Sequence, residues 1–264
     1  MSIVFASIVP HTPVLLPSVG KEHLKKLKKT LASFHRLEQE LYATKPDVVL
    51  IISPHGRIEH DHFTLEVRER YAPDLKEFGV FEVPIEFKSD LRLTSALKEH
   101  LEDRGVPFML RTEADLDYGI VVPLTYLASH LSPVAILPIT PSLLSGKAHF
   151  EFGQALQEVL MHTDRRVAVV CSVDLSHRLA RSSPAGYSPF GKKFDEKIRT
   201  ILEEKKTSAL VTFEPQLAEK AGQCALSALT IFSGILDGLD ATPEILSYES
   251  PFGVGHLAAH YHLA

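Results

Sequence analysis

The sequence lacks tryptophan and contains only two cysteines among its 264 residues. Cys171 and Cys224 each lie in an apolar segment, a pattern that does not indicate a disulfide framework. No apolar run approaches the roughly 20 residues that a membrane-spanning helix needs. The short apolar run near the start has no Lys or Arg before it and soon meets a proline, which argues against a signal peptide. The sequence therefore predicts a cytoplasmic protein that does not insert into a membrane.

An excess of basic charge is also missing, since the formal net charge is -5. The basic stretch at 21–29 fits one solvated face of a helix, so nucleic acid is not the expected partner. The glycines of 253–255 lack the spacing of a phosphate-binding loop, and no G-x-S-x-G sequence indicates a serine hydrolase. With 45% hydrophobic and 23% charged residues, the composition is that of a globular protein.

Apolar runs typical of buried strands alternate along the chain with segments of helical periodicity. The stretch at 60–88 is less regular and suggests strands or a hairpin. The whole pattern predicts one α/β domain over 1–264, with three α/β/α layers and a mostly parallel or mixed central sheet. Strands are predicted near 4–9, 46–53, 106–110, 134–140, 166–176, 243–249 and 254–262, and helices near 21–43, 89–104, from 119, 149–162, 190–204 and 223–237.

Three histidines follow predicted strands directly, where ligands commonly bind in open α/β sheets. His11 follows "ASIVP", His55 follows "VLIISP" and His177 follows "AVVCSVDLS". A later strand carries Glu249 close to its end. Two histidines and one carboxylate form a ligand set used by non-haem Fe(II), with positions left open for substrate and dioxygen. These residues are therefore candidates for a metal site.

Five segments, "VPHTP", "ISPHG", "LDYG", "SVDLSH" and "SYESPFGVG", resemble in this order the class III extradiol ring-cleavage dioxygenases of the LigB type and the related Memo-like proteins. The resemblance implies that His11, His55 and Glu249 bind the metal and that His177 is the acid/base residue. Asp174 would fix a histidine tautomer or, alternatively, cap a turn. Fe(II) is the expected metal, with zinc or another divalent ion as the alternative.

The same resemblance implies an oxidoreductase that opens a catechol or 2-aminophenol ring beside its hydroxyl or amino pair. A small aromatic compound and dioxygen would then be the partners. A homodimer is expected by analogy, and the need for a small companion subunit stays open.

Two departures from the ring-cleaving pattern favour another interpretation. Tyr118 stands where many ring-cleaving members have histidine, and it is either catalytic or a packed aromatic residue. Cys224 lies near the position of a cysteine that faces the metal in Memo-like proteins, although a small core residue is the alternative. His256 follows Glu249 closely and is expected to line the pocket. The alternative function is a Memo-like metal-binding or redox protein, and metal-assisted hydrolysis is a third hypothesis.

Overall fold

The computed structural model describes residues 2–80, 86–112, 115–131 and 134–264. Its strands are β1 (Ile3–Val9), β2 (Val48–Ile52), β3 (Phe63–Glu66), β4 (Lys88–Ser89), β5 (Phe108–Arg111), β6 (Ala135–Thr140), β7 (Val167–Ser172), β8 (Ala241–Glu249) and β9 (His256–Leu263). Its α-helices are α1 (Pro17–Gly20), α2 (Lys28–Thr44), α3 (Leu91–Asp103), α4 (Tyr118–Leu127), α5 (Gly146–His162), α6 (Pro189–Glu203), α7 (Pro215–Ala221) and α8 (Leu226–Ile235).

The strands form one mixed sheet in the order β5-β3-β6-β2-β7-β1-β9-β8, with β4 paired beside β6. The central strands β6, β2, β7 and β1 are mutually parallel. On one flank β9 is antiparallel to β1 and β8 to β9, and on the other flank β3 is antiparallel to β6. The parallel centre therefore directs the carboxyl ends of β1, β2 and β7 to the same edge.

Helices cover both faces of this sheet and produce the predicted three-layer α/β/α arrangement. Alternate residues of β2 enter opposite cores: Val48, Leu50 and Ile52 face one cluster, and Val49 and Ile51 face the other. The first cluster includes side chains of α3, α5, α6 and α8, and the second includes side chains of α2 and α4. Burial on both faces explains why the strand is a continuous apolar run in the sequence.

Several element boundaries differ from the sequence expectations. The predicted helix at 21–43 is divided into a 3-10 segment, Lys21–Lys26, and α2, because the fully buried Leu27 leaves helical geometry with φ -107° and ψ 31°. The predicted strand at 166–176 leaves the sheet after Ser172, and α7 was not foreseen. The expected strands at 60–88 are confirmed for β3 and the short β4, whereas 81–85 lies outside the described residues.

Both cysteines are free thiols, with Cys171 buried in the sheet and Cys224 partly exposed. Within the described ranges, the helices are too short or too polar to cross a bilayer.

Candidate metal centre

Two proline-flanked turns bring His11 and His55 together at the carboxyl edge of the sheet. His11 follows β1 by two residues and His55 follows β2 by three. Their Nε2 atoms lie 2.9 Å apart. The rings meet edge to face, with centroids 4.6 Å apart. Parallel neighbouring strands and short rigid turns thus place both imidazoles in one small volume.

The end of β7 sets the tautomer of His11. Ser172 Oγ donates its proton to the carbonyl oxygen of Gly119. Ser172 Oγ also lies 3.0 Å from His11 Nδ1. Because the hydroxyl proton is already donated to Gly119, Ser172 Oγ can only accept a hydrogen bond from His11. His11 consequently carries its proton on Nδ1 and keeps a lone pair on Nε2, the arrangement that a metal ligand requires.

His55 is held between the start of α4 and the end of β2. The hydroxyl of Tyr118 lies 2.9 Å from Nδ1 and 3.0 Å from Nε2 of His55, and the two ring centroids are 4.3 Å apart. Asp117 Oδ1 accepts hydrogen bonds from Ser53 Oγ at 2.8 Å and from Gly119 N at 2.7 Å. Burial raises the pKa of Asp117 to about 6, against the effect of those hydrogen bonds. Asp117 thus ties the first turn of α4 to the strand that carries His55.

Cys224 completes a group of candidate ligands. Its Sγ lies 3.6 Å from Nε2 of His11 and 3.6 Å from Nε2 of His177. One ligand atom from each of His11, His55 and Cys224 lies within 4.8 Å of the others. In the described part of the chain, these three residues form the group of His, Cys, Asp or Glu side chains that is close enough to hold a metal ion. The structure therefore brings together three of the predicted residues, His11, His55 and His177, with the thiol of Cys224.

Asp174 links this group to the β8–β9 hairpin. Its Oδ1 accepts a hydrogen bond from His11 N at 3.3 Å and lies 3.0 Å from Nδ1 of His256. Burial alone would raise the pKa of Asp174, but the nearby imidazoles of His11 and His256 hold it below its usual value. Asp174 and His256 are both almost completely buried, so they support the site rather than line its open side.

The protonation states of the group suit metal binding. Burial lowers the pKa of His11 and of His177, and it lowers that of His55 to about 3, so all three imidazoles are neutral near pH 7. Burial, followed by the charge of Asp174, raises the pKa of the Cys224 thiol. A metal ion would have to displace the thiol proton, as metals do when they bind cysteine.

The donor set fits a transition metal. Two imidazole nitrogens and one thiolate sulfur are ligands for zinc, copper or iron, and they leave one position open on a tetrahedral ion and several on a six-coordinate one. His177 flanks the thiol on the partly exposed side of the group. The residues present therefore fit a divalent metal, with a sulfur ligand in place of the expected carboxylate.

Glu249 does not join this group. Its Oε1 accepts hydrogen bonds from Thr30 N at 2.8 Å and from Thr30 Oγ1 at 2.7 Å. Thr30 lies in the first turn of α2, and Leu27 at the start of that helix provides no side-chain cap. The carboxylate therefore satisfies a free N–H group of the helix and interacts favourably with its dipole. The prediction that Glu249 is the third ligand finds no support in this geometry.

A family model described as the catalytic LigB subunit of aromatic ring-opening dioxygenase matches residues 5–259. The chain belongs to the LigB family. The match includes every residue of the candidate metal centre, and it confirms the resemblance seen in the five sequence segments.

One curated protein and one solved structure are similar to this chain. Protein CA_C1420 of Clostridium acetobutylicum is 29% identical in an alignment of 258 residues that covers 94% of this chain and 55% of that protein. The chain thus spans about half the length of this curated relative. The crystal structure of the uncharacterized protein JW3007 from Escherichia coli K12 has a TM-score of 0.70 and 17% identity, covering 97% of this chain and 99% of that one. This second likeness concerns the fold.

Sequence reasoning missed the residues that orient the histidines. Ser53 directly follows β2, and Ser172 is the last residue of β7. Asp117 directly precedes α4. Asp117 carried a usable signal, because an aspartate before an apolar helix is a common N-cap, and its side chain does cap α4. The two serines carried no comparable signal, since their partners are distant in sequence.

Proposed function

We propose that this LigB-family chain is a metal-dependent extradiol-type oxidoreductase that opens a catechol or 2-aminophenol ring with dioxygen. The ion would be held by His11, His55 and Cys224. The observation that carries the proposal is the group of three ligand atoms within 4.8 Å at the carboxyl edge of the sheet, in a chain that matches the LigB model almost throughout. Fe(II) is the first metal to test, followed by zinc and copper.

When bound, the metal would supply adjacent positions at which the substrate oxygens and dioxygen meet. His177 has the location and charge state for proton transfer. Its Nε2 lies 3.6 Å from Cys224 Sγ, and burial lowers its pKa so that the ring is neutral and able to accept a substrate hydroxyl proton. The proton held there would return to the product.

Tyr118 has a different role from His177, because burial raises the pKa of its hydroxyl. It keeps its proton at neutral pH, and its hydroxyl contacts His55 at 2.9 Å. We infer that Tyr118 holds the His55 ring in place through this contact and does not accept a substrate proton.

A second function is favoured by one specific observation. Cys224, and not Glu249, lies with the two histidines, and a thiol beside a redox-active metal is prone to oxidation. The alternative is therefore a Memo-like metal-binding or redox protein that uses the same pocket without opening a ring.

Anaerobic reconstitution with Fe(II), zinc or copper, followed by dioxygen uptake and absorbance scans with catechols and 2-aminophenols, separates these functions. Ring opening predicts stoichiometric uptake and a new chromophore in the wild type, with both lost in His177→Ala. Metal bound at the predicted ligands without uptake for any substrate would instead support the second function. Turnover that continues without dioxygen would contradict both and indicate hydrolysis.

Cytoplasmic location stays a prediction from the sequence, a homodimer stays a prediction from the resemblance, and the need for a companion subunit stays open. The native mass of the purified chain, alone and from cell extract, checks the last two.

A further inference from the structure

His177 and Cys224 come from two segments that are paired directly with each other. His177 N donates to the carbonyl oxygen of Gly222 at 3.1 Å. Ser176 forms an isolated antiparallel bridge with Gln223. In return, Cys224 Sγ donates to the carbonyl oxygen of Asp174 at 3.1 Å. The separation of the imidazole from the thiol therefore depends on the register of this short pairing.

Ser176 is the residue through which this pairing is fixed. Its hydroxyl donates to Ala221 O at 2.7 Å and accepts from Arg178 N at 3.1 Å. Its carbonyl oxygen accepts from Gly255 N at 2.9 Å. The side chain is completely buried. One serine thus joins the segments that carry His177, Cys224 and His256.

Asp195 of α6 secures Ser176 from the opposite side. Its Oδ1 accepts from Ser176 N at 2.9 Å, and its Oδ2 accepts from the hydroxyl of Tyr248 at 2.6 Å. Only 1% of Asp195 is exposed. A Cβ at Gly255 would lie 2.1 Å from Asp195 Oδ2, so the hairpin backbone can approach the carboxylate only because a glycine is present. The contacts connect α6 and β8 to the loop that bears His177.

We propose that Ser176 and Asp195 are positioning residues that set the distance between His177 and Cys224. They thereby also set the distance of the Cys224 thiol from the metal. This inference rests on the proposed metal centre and adds two residues that touch neither metal nor substrate. A slip of one residue in the pairing would turn His177 to the other side of its segment. The buried hydrogen bonds oppose that slip.

Cobalt(II) is a suitable probe, because a cysteine thiolate bound to cobalt gives a charge-transfer absorption that reports the sulfur–metal geometry. The wild type is expected to show such a band, and Cys224→Ser is expected to lack it. Ser176→Ala and Asp195→Ala should weaken cobalt binding about tenfold and shift the band. Asp195→Asn keeps Oδ1 as the acceptor for Ser176 N, and its amide nitrogen can donate to the Tyr248 hydroxyl oxygen, so this variant should remain close to the wild type.

Ser33→Ala is the matched control. It removes another buried hydrogen bond, from Ser33 Oγ to Ser247 Oγ at 2.8 Å, between α2 and β8. Its cobalt affinity and band should equal those of the wild type even if its melting temperature falls. If Ser176→Ala or Asp195→Ala does not fold, Tyr248→Phe removes only the donor to Asp195 and should still shift the band.

Two outcomes would overturn the inference in distinguishable ways. Unchanged affinity and band in the folded variants would show that Ser176 and Asp195 do not position the thiol, while the metal centre would stand. A wild type without a band dependent on Cys224 would contradict the metal centre itself, and the inference with it.

Discussion

The parallel centre of the sheet and the antiparallel β8–β9 hairpin each bring candidate ligands toward the carboxyl edge, but with different results. The ends of β1 and β2 place His11 and His55 within 2.9 Å of each other. The end of β8 places Glu249 against Thr30 at the start of α2, where the carboxylate caps the helix. The third ligand position of the proposed centre is filled from the turn between α7 and α8, by Cys224.

This difference shows for which site residues the position follows from the local sequence. Parallel neighbours must end at one edge, so two histidines directly after two such strands will meet there. A residue on a hairpin at the sheet flank has no such constraint, and its contacts follow from the helix that packs beside it.

The largest expected effect is on metal binding by the central group. Cys224→Ser and His55→Ala each remove one of three ligand atoms and should lower zinc affinity by at least about 100-fold, since two remaining ligands hold zinc poorly. Competitive titration with a chromogenic chelator measures the change. Affinity within threefold of the wild type in both variants would remove these residues from the ligand set.

Metal affinity should also depend steeply on pH. Burial raises the pKa of the Cys224 thiol, so the free protein holds that proton across the neutral range and zinc binding must release it. Each unit of rising pH should therefore increase zinc affinity about tenfold, because one proton is exchanged per ion. Calorimetry in buffers of different ionisation enthalpy measures the number of protons released per zinc ion. The wild type should release one proton, and Cys224→Ser should release none.

Removing the hydrogen bond that orients His11 should have an intermediate effect. Ser172→Ala leaves Nδ1 without its acceptor, and partners of this type affect metal affinity by about tenfold. His177, the proposed proton-transfer residue, is untouched, so the proposed activity should recover at saturating metal concentration. Loss that persists under saturation would mean that Ser172 acts beyond the orientation of His11.

The smallest effect on the metal is expected at the hairpin. Glu249→Ala should leave zinc affinity unchanged and should lower the free energy of unfolding by about 1–2 kcal/mol, because the first turn of α2 loses its cap. Urea denaturation measures the second quantity. Thr30→Val, which removes one of the same hydrogen bonds, should destabilise in the same direction with a smaller value.

Much of the fold was predictable because buried parallel strands leave continuous apolar runs, as in Val48–Ile52, and capped helices leave clear starts, as at Asp90 before α3. His11 and His55 were predictable from strand ends. The position of Cys224 was indicated only by the resemblance to Memo-like proteins and not by local pattern, because it depends on α7, on the positive φ of 59° at Gly222 and on pairing with the segment around Ser176. Capping of α2 by Glu249 is likewise a contact across 219 positions of sequence.

The central claim is that His11, His55 and Cys224 form one metal centre, and X-ray absorption at the metal edge of the zinc-loaded chain tests it most directly. The account predicts one sulfur ligand at about 2.3 Å and two nitrogen ligands at about 2.0 Å in the wild type, with the sulfur lost in Cys224→Ser and retained in Glu249→Ala. A coordination shell of nitrogen and oxygen without sulfur, altered by Glu249→Ala, would contradict it.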